Sequence, residues 1–310
     1  MTDHGVVLEG GTVRFERLLD APVERVWAYL TEGDKLGRWF AGGTVEPRQG
    51  GKVTLTFHHD RLSDTPEPIP EKYQKAQGYS FTGEIVEWQP KRLITWSWPD
   101  DKHPSTVTFE LFPEGQKTRL VLSHRKLPDR KEWTDVMGGW HSHLRILEDA
   151  VAGRPRRPFW AAHEEVEKVY AKRVAAEGAA YVTHRIAAPV EKVFRAWTDP
   201  KTVKAWSGVT LTNEARKGGH YHSETKPGNA AENCIVDGVY EEFEPNRRIA
   251  QTWLYRGPGA PQPVESYVTL DFMPDGKDAT LVTVTETGPQ AEESKESWRM
   301  VFGALAKQVE

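Results

Sequence analysis

The spacing of apolar residues along the first half of the chain changes several times, and each change predicts an element. Residues 12–19 alternate between apolar and polar side chains, which predicts a strand, and residues 21–30 have helical spacing. Asp20 and Pro22 suit the start of that helix, because a carboxylate can cap free N–H groups and proline lacks one. Alternation then predicts a meander of antiparallel strands in residues 52–58, 79–88, 93–98, 107–111 and 120–124.

Helical spacing returns after Pro128 and continues to Gly153, which predicts a long amphipathic helix. The glycine pairs at 42–43 and 50–51 are expected to interrupt the chain, and the polar, proline-bearing residues 60–77 to form a long loop. An antiparallel sheet must bury its apolar face, and the long helix is the partner that the sequence offers. The predicted fold class is therefore α+β, with a curved antiparallel sheet wrapped around a long C-terminal helix.

The same pattern occurs twice. Residues 21–27 read APVERVW and residues 188–194 read APVEKVF, and a tryptophan follows each copy at the same distance, Trp39 and Trp206. Later segments also match: residues 82–98 with 237–253, and VTFELFPEG at 107–115 with VTLDFMPDG at 268–276. A match maintained over so many landmarks predicts a tandem duplication.

Two further matches set the expected equivalences inside the second copy. Pairing Leu120 with Leu281 makes Thr285 the counterpart of His124, and pairing Trp140 with Trp298 makes Arg299 the counterpart of His141. The loop at 60–77 is expected to shrink to about residues 226–233.

The boundary between the copies is predicted at RPRRP, residues 154–158, because two prolines cannot continue a helix. We expect a first domain at 1–153, a linker with a connecting helix at 154–177, and a second domain at 178–310. The helix in the linker could brace the two halves or act as a spacer.

Composition narrows the classes of function. The formal net charge of −4 gives no field that would attract nucleic acid, and no apolar run is long enough to span a membrane. Cys234 is the one cysteine, so no intrachain disulfide can form, and the first ten residues do not resemble a signal peptide. These features favour a cytoplasmic protein, and 12 tryptophans favour aromatic-lined pockets or interfaces.

The motifs quoted above, with the Gly-Gly before a strand and the closing tryptophan–leucine helix, resemble the START-like (SRPBCC) superfamily. Within it they are similar to the heat-shock chaperone ATPase activator homologues (Aha-type). The resemblance implies two tandem helix-grip (START/Bet v 1-like) domains, each with a cavity between sheet and helix. Members include small-molecule and lipid carriers, polyketide cyclases, ligand sensors and chaperone activators, so the function depends on the site.

Three kinds of site are open on the residues themselves. His124 and His141 could form a pair in a pocket, as general base or hydrogen-bond donor, or be one core and one solvent histidine. His220, His222 and Glu224 share one face of a strand and could bind a divalent metal, although that face is expected to be solvated. Cys234 is expected to be a small apolar residue rather than a nucleophile.

The third kind of site is an aromatic cavity, and no catalytic set recurs in both halves. We therefore expect binding of a small hydrophobic or aromatic molecule, without a cofactor, by a carrier, sensor or sequestering protein. The alternatives are a polyketide cyclase/hydrolase-like enzyme that uses the pocket histidines and a chaperone-cofactor-like protein with a protein partner. The residues predicted to line the cavities are Trp39, Trp96, Trp98, Phe109, His124, Trp133, Met137, Trp140, His141, Trp206, Gln251, Trp253, Tyr255 and Trp298.

Overall fold

A computed structural model describes residues 4–8, 11–99, 103–174, 179–225, 233–258 and 260–310. The chain divides into two compact units between Lys172 and Arg173. We call the unit before this division the first domain and the unit after it the second domain. The expected shortening of the loop near residues 226–233 lies almost entirely outside the described residues.

The first domain contains an eight-stranded antiparallel sheet in the order β1-β2-β8-β7-β6-β5-β4-β3. Two short 3-10 helices, His59–Arg61 and Glu71–Ala76, lie in the segment predicted as a loop. The other elements, in chain order, are β1 (Val6–Leu8), β2 (Thr12–Leu19), α1 (Val23–Thr31), α2 (Gly33–Leu36), β3 (Gly42–Val45), β4 (Lys52–Thr56), β5 (Ser80–Gln89), β6 (Leu93–Trp98), β7 (Ser105–Glu114), β8 (Lys117–Arg125), α3 (Arg130–Ala152) and α4 (Trp160–Arg173).

The second domain repeats this plan with a seven-stranded antiparallel sheet in the order β10-β11-β12-β13-β14-β15-β9. A short 3-10 helix, Glu292–Ser294, precedes its last helix. Its elements are β9 (Ala180–Ile186), α5 (Val190–Thr198), α6 (Pro200–Ser207), β10 (Thr210–Asn213), β11 (His220–Glu224), β12 (Ile235–Glu244), β13 (Arg248–Arg256), β14 (Val264–Pro274), β15 (Thr280–Thr287) and α7 (Lys295–Val309).

The ends of the long helix α3 follow from the residues found there. The Asp129 carboxylate accepts a hydrogen bond from the backbone N–H of Glu132 at 2.9 Å and so satisfies one of the free N–H groups at the start of the helix. Gly153 ends the helix with a φ of 70°, in the left-handed region that glycine adopts without steric cost.

Two local predictions were wrong, and one strand was not predicted. The helix α1 begins at Val23 with Pro22 at its N-cap position and without a side-chain cap, so Asp20 does not cap it. The glycines at 42–43 do not interrupt the sheet but lie in β3. Glycine is required at position 43, because a Cβ there would stand 1.9 Å from the carbonyl oxygen of Thr54. The strand β1 was not predicted, since three residues are too few for a periodic pattern.

Both domains retain the same contacts where the first strand turns into the first helix. The buried Thr118 hydroxyl donates to the Ala21 carbonyl at 2.8 Å, and Thr280 does the same to Ala188 at 2.8 Å. The repeated tryptophan also has one role in both copies. The indole N–H of Trp39 donates to Tyr29 O at 2.8 Å, and that of Trp206 donates to Ala196 O at 2.9 Å.

The last helix of each domain packs on the sheet, as a helix-grip fold requires. In the second domain, Trp298, Phe302 and Leu305 of α7 belong to one buried cluster with residues of β12 to β15 and of α5. In the first domain, the ring of Trp140 on α3 meets that of Phe109 on β7 at 5.7 Å, edge to face. Such rings bury a large apolar area and supply much of the core.

The helix α4, which the sequence assigns to the linker, packs on the first domain through buried polar contacts. The Tyr170 hydroxyl, on a fully buried residue, accepts from the Gly5 N–H at 2.8 Å and contacts His141 Nδ1 at 3.0 Å. The His163 ring contacts the hydroxyls of Ser142 and Tyr73, each at 3.0 Å. This helix is therefore anchored to the first domain.

Candidate ligand-binding cavities

Strand pairing fixes which residues of the two domains are equivalent. Val107 of β7 lies opposite His124 of β8, and the matching Val268 of β14 lies opposite Glu286 of β15. The counterpart of His124 is therefore Glu286 and not Thr285. The sequence match was off by one because the second hairpin has one more residue in its turn.

The first domain has a cavity of about 260 Å³ between the sheet and α3. His124 lines it together with a pair of stacked rings, since Phe40 lies on Trp140 with centroids 4.8 Å apart. The lining residues are Phe40, Phe57, Trp98, His103, Ser105, His124, Leu127, Pro128, Glu132, Val136, Gly139, Trp140 and His143.

His124 has both ring nitrogens engaged. Its Nδ1 accepts the indole N–H of Trp140 at 3.1 Å, and its Nε2 contacts the Ser105 hydroxyl at 2.8 Å. Because an indole N–H can only donate, Nδ1 carries no proton, and the neutral ring holds its proton on Nε2. Burial lowers the pKa of His124 from 6.5 to about 3, so the imidazole stays neutral inside the cavity.

The second domain has a larger cavity, of about 610 Å³, in the equivalent place. Two stacked aromatic pairs line it: Tyr221 with Trp253, centroids 5.8 Å apart, and Trp197 with Trp206, 6.1 Å apart. The lining residues are Trp197, Val203, Trp206, Ser207, Val209, Leu211, Tyr221, Ser223, Thr225, Cys234, Val236, Trp253, Tyr255, Pro258, Val264, Ser266, Glu286, Gln290, Glu293, Ser294, Ser297, Trp298 and Val301.

The difference in volume comes from substitutions at equivalent positions. Ser207 follows Trp206 as Phe40 follows Trp39, so a hydroxymethyl group replaces a phenyl ring. In β11, Tyr221 pairs with Gly238 as Val53 of β4 pairs with Gly83. This register places Ser223 at the position of Leu55 and Thr225 at the position of Phe57. The side chains that fill the first cavity are thus small in the second.

Glu286 occupies the position of His124 with a similar set of neighbours. Its Oε1 accepts the Ser266 hydroxyl at 2.8 Å, and its Oε2 accepts the Trp298 indole N–H at 2.7 Å and lies 2.6 Å from the Ser294 hydroxyl, which is also 2.8 Å from the Ala291 carbonyl. Ser266 and Trp298 are the counterparts of Ser105 and Trp140. The two cavities therefore share one arrangement, a polar side chain held by a strand serine and a helix tryptophan.

Comparison with protein families identifies the fold. The family described as "Activator of Hsp90 ATPase homolog 1-like protein" matches residues 20–152 and, separately, residues 187–310. The chain belongs to this activator-homologue family. The two matched segments confirm the tandem duplication, the α+β class and the resemblance to helix-grip proteins.

Solved structures of similar chains include a Bordetella parapertussis protein encoded by gene BPP1335, which is 38% identical over 55% of this chain and 90% of its own, with a TM-score of 0.49. CalU16 from Micromonospora echinospora is 24% identical over 55% of this chain and 93% of its own, with a TM-score of 0.40. DynU16, from the dynemicin biosynthetic locus, is 15% identical over 96% of this chain and 95% of its own, with a TM-score of 0.39. No curated protein matches the chain.

Within this family member, half of the predicted ligand-binding residues line a cavity. Those that do are Trp98, His124, Trp140, Trp206, Trp253, Tyr255 and Trp298. Trp39, Trp96, Phe109, Met137 and Gln251 are instead almost fully buried in the core and line neither cavity. Trp133 also lies away from the cavity, where its indole N–H donates to the Leu127 carbonyl at 3.1 Å.

The predicted pair of His124 and His141 does not form. His141 is buried on another side of α3, where it contacts the Tyr170 hydroxyl and the ring of Phe15, and it does not line the first cavity. His143, two residues on, lines the cavity instead, with its Nδ1 2.9 Å from Trp39 O. The enzyme hypothesis based on this pair therefore lacks its second histidine.

Some lining residues that were not predicted lie at helical spacing from tryptophans that were. Val136, Trp140 and His143 of α3 lie four and three residues apart and line the first cavity. Ser294, Trp298 and Val301 have the same spacing and line the second. Glu286 was missed because of the one-residue error in register, whereas Ser266 and its counterpart Ser105 were not singled out by any sequence pattern.

The weak metal-site candidates are not gathered into a site. His222 pairs with Asp237 at 2.7 Å, while His220 and Glu224 are exposed at either end of β11. Among the described residues, no three His, Cys, Asp or Glu side chains come together in a group that could hold a metal ion. The described helices also include none that is long and apolar enough to cross a membrane.

Proposed function

We propose that the protein binds a small aromatic or hydrophobic molecule in the cavity of its second domain. The observation that carries this proposal is a cavity of about 610 Å³ with aromatic walls, whereas the matching cavity of the first domain has about 260 Å³ because large side chains occupy its space. Volumes between about 300 and 1,000 Å³ are usual for small-molecule sites. The first cavity would accept a smaller molecule.

The lining supports binding rather than chemical conversion of the ligand. Stacked indole and phenol rings offer flat apolar contact, and Ser223, Thr225 and Ser266 supply a few polar groups. Burial raises the pKa of the Tyr255 phenol to about 12, so this hydroxyl is a neutral hydrogen-bonding group at neutral pH. The proposed role is that of a carrier, sensor or sequestering protein in a reducing cytoplasm, where Cys234 stays a free thiol.

The test is a titration of the full chain with naphthylmethanol, a neutral fluorescent aromatic alcohol. Saturable binding with one dominant site is expected. The variants Ser207→Phe and Ser223→Leu install the first-domain side chains and should reduce affinity at that site by tenfold or more, because they fill the cavity. The reciprocal variant Phe40→Ser serves as the matched control and should leave the dominant site unchanged. If no saturable binding occurs, or if the filled variants bind as the native chain does, the proposal fails.

The family description supports a second candidate, a chaperone-cofactor role. The test is the steady-state ATPase rate of Hsp90 with increasing amounts of the full chain. A saturable rise in rate is expected from an activator, and an unchanged rate would remove this candidate.

A further inference from the structure

Glu286 is a carboxylate placed inside an aromatic cavity. It is 8% exposed, lies near the end of β15 and lines the second cavity. Its Oε1 accepts from the Ser266 hydroxyl and its Oε2 accepts from the Trp298 indole N–H, while the Ser294 hydroxyl shares its one proton between Oε2 and the Ala291 carbonyl. An indole N–H can only donate, and hydrogen bonds from neutral donors stabilise the ionised form of a carboxylate. Oε1 accepts one of these bonds and retains capacity for another.

Within the part of the chain that the structure describes, no cation balances this carboxylate. Among the described residues, none of the ion pairs includes Glu286, and the residues that line the cavity include no lysine, arginine or histidine. A second carboxylate, Glu293, stands exposed at the cavity wall. Buried charges in proteins are ordinarily paired, because removal of a lone charge from water is costly. The cavity thus has a negative lining that a cationic ligand would complement.

The aromatic walls favour the same ligand. The faces of Trp253 and Tyr221 are stacked, and Trp298 meets Trp253 at 5.8 Å and Trp197 at 6.2 Å. Indole and phenol faces attract cations as well as flat apolar groups, and the attraction increases where water is excluded. One cavity therefore offers a flat apolar surface, a cation-binding surface and a buried anion.

The first domain shows that this carboxylate is a local feature of the second cavity. The same position holds the neutral His124, with equivalent serine and tryptophan neighbours. A polar group held by these neighbours is thus common to both copies, whereas its charge differs. The third neighbour also differs, because Ser294 takes the place of Val136.

We infer that the second cavity binds an aromatic molecule bearing a protonated amine, with the ammonium group donating to Glu286 Oε1 and the ring between the indoles. This inference rests on the proposed function and adds the ligand's chemical class to it. It also implies that the two domains select different ligands.

Three fluorescent probes that share one ring system test it: naphthylmethylamine, naphthylmethanol and naphthoate. Titrated into the native chain, the amine should bind the dominant site about ten- to a hundredfold more tightly than the alcohol, the effect of one charge-assisted hydrogen bond. Naphthoate should bind more weakly than the alcohol. In Glu286→Gln, which preserves the shape, the preference for the amine should disappear. The matched control Glu191→Gln changes an exposed carboxylate of α5 and should retain it.

The outcomes separate the two proposals. If all three probes bind the native chain equally, or naphthoate binds best, the cationic ligand class is wrong while the binding function stands. If none binds, the binding function itself fails. Should Glu286→Gln not fold, as judged by near-UV circular dichroism, the ranking of the probes on the native chain still decides, because it requires no variant.

Discussion

His124 makes the first domain sensitive to acid, and the size of the effect follows from its surroundings. The folded ring has a pKa of about 3 because it is buried, whereas an unfolded chain has the ordinary value of 6.5. Below about pH 6.5 the His124 ring binds a proton in the unfolded chain but stays neutral in the folded chain, so stability is lost as the pH falls towards 3. Each pH unit in that window costs about 1.4 kcal/mol of unfolding free energy, so the loss at pH 4.5 is about 3 kcal/mol.

The perturbation is His124→Gln combined with acidification. An amide can accept from the Trp140 N–H and donate to Ser105, so the variant retains both hydrogen bonds without a group that titrates in this range. Urea unfolding of the full chain, followed by tryptophan fluorescence at about pH 7, 5.5 and 4.5, measures the free energy of unfolding. The native chain should lose about 3 kcal/mol more than the variant between the highest and lowest pH.

The control for this experiment is His220→Gln, which removes an exposed histidine of the second domain and should leave the native pH dependence unchanged. His59, His143 and His163 also have pKa values lowered by burial, so the variant should retain part of the acid sensitivity. Parallel pH profiles for the native chain and His124→Gln would refute the reasoning, because they would show that His124 protonates equally in both states.

Three further substitutions test packing, each by the midpoint and slope of urea unfolding. Thr118→Val should destabilise the first domain by about 1–3 kcal/mol, because it leaves a buried backbone carbonyl without its donor; an unchanged midpoint would contradict this. Gly43→Ala should cost at least about 1–3 kcal/mol because its φ of 154° and the nearby carbonyl exclude a Cβ, whereas Gly139→Ala, with open space around it, should cost nothing. Asp271→Asn should cost about 3 kcal/mol, because it removes the buried carboxylate that pairs with Arg248 at 2.8 Å, although Glu242 still pairs with Arg248 at 2.6 Å; a loss below about 1 kcal/mol would show that Glu242 and solvent replace the lost pair.

The sequence predicted the architecture well because the fold depends on long periodic segments. The alternation that predicts β7 and β8 and the helical spacing between Pro128 and Gly153 are repeated signals, so single exceptions do not change the outcome. Because the pattern occurs twice, an element predicted in one copy could be checked against its counterpart in the other. The short strands β1 and β3 were not predicted, because three or four residues, two of them glycine in β3, carry no periodic signal.

The sites were harder to predict because they depend on single positions. One additional residue in a hairpin turn changed the counterpart of His124 from Thr285 to Glu286, and in a strand a shift of one residue reverses the face. On α3, one step along the helix turns a side chain by about 100°, so His141 points away from the cavity that Trp140 lines. Adjacency in sequence was a poor guide there, and spacing was a better one.

The paired hydrogen bonds from Thr118 and Thr280 mark the part of the fold that remained the same in both copies, while the cavity walls diverged. Each copy consequently serves as a tested design for the other. The volume or charge of one cavity can therefore be changed by introducing the side chains found at equivalent positions of the other domain, beginning with the exchange of Glu286 and His124. Such substitutions leave the hydrogen bonds from Thr118 and Thr280 to the backbone in place.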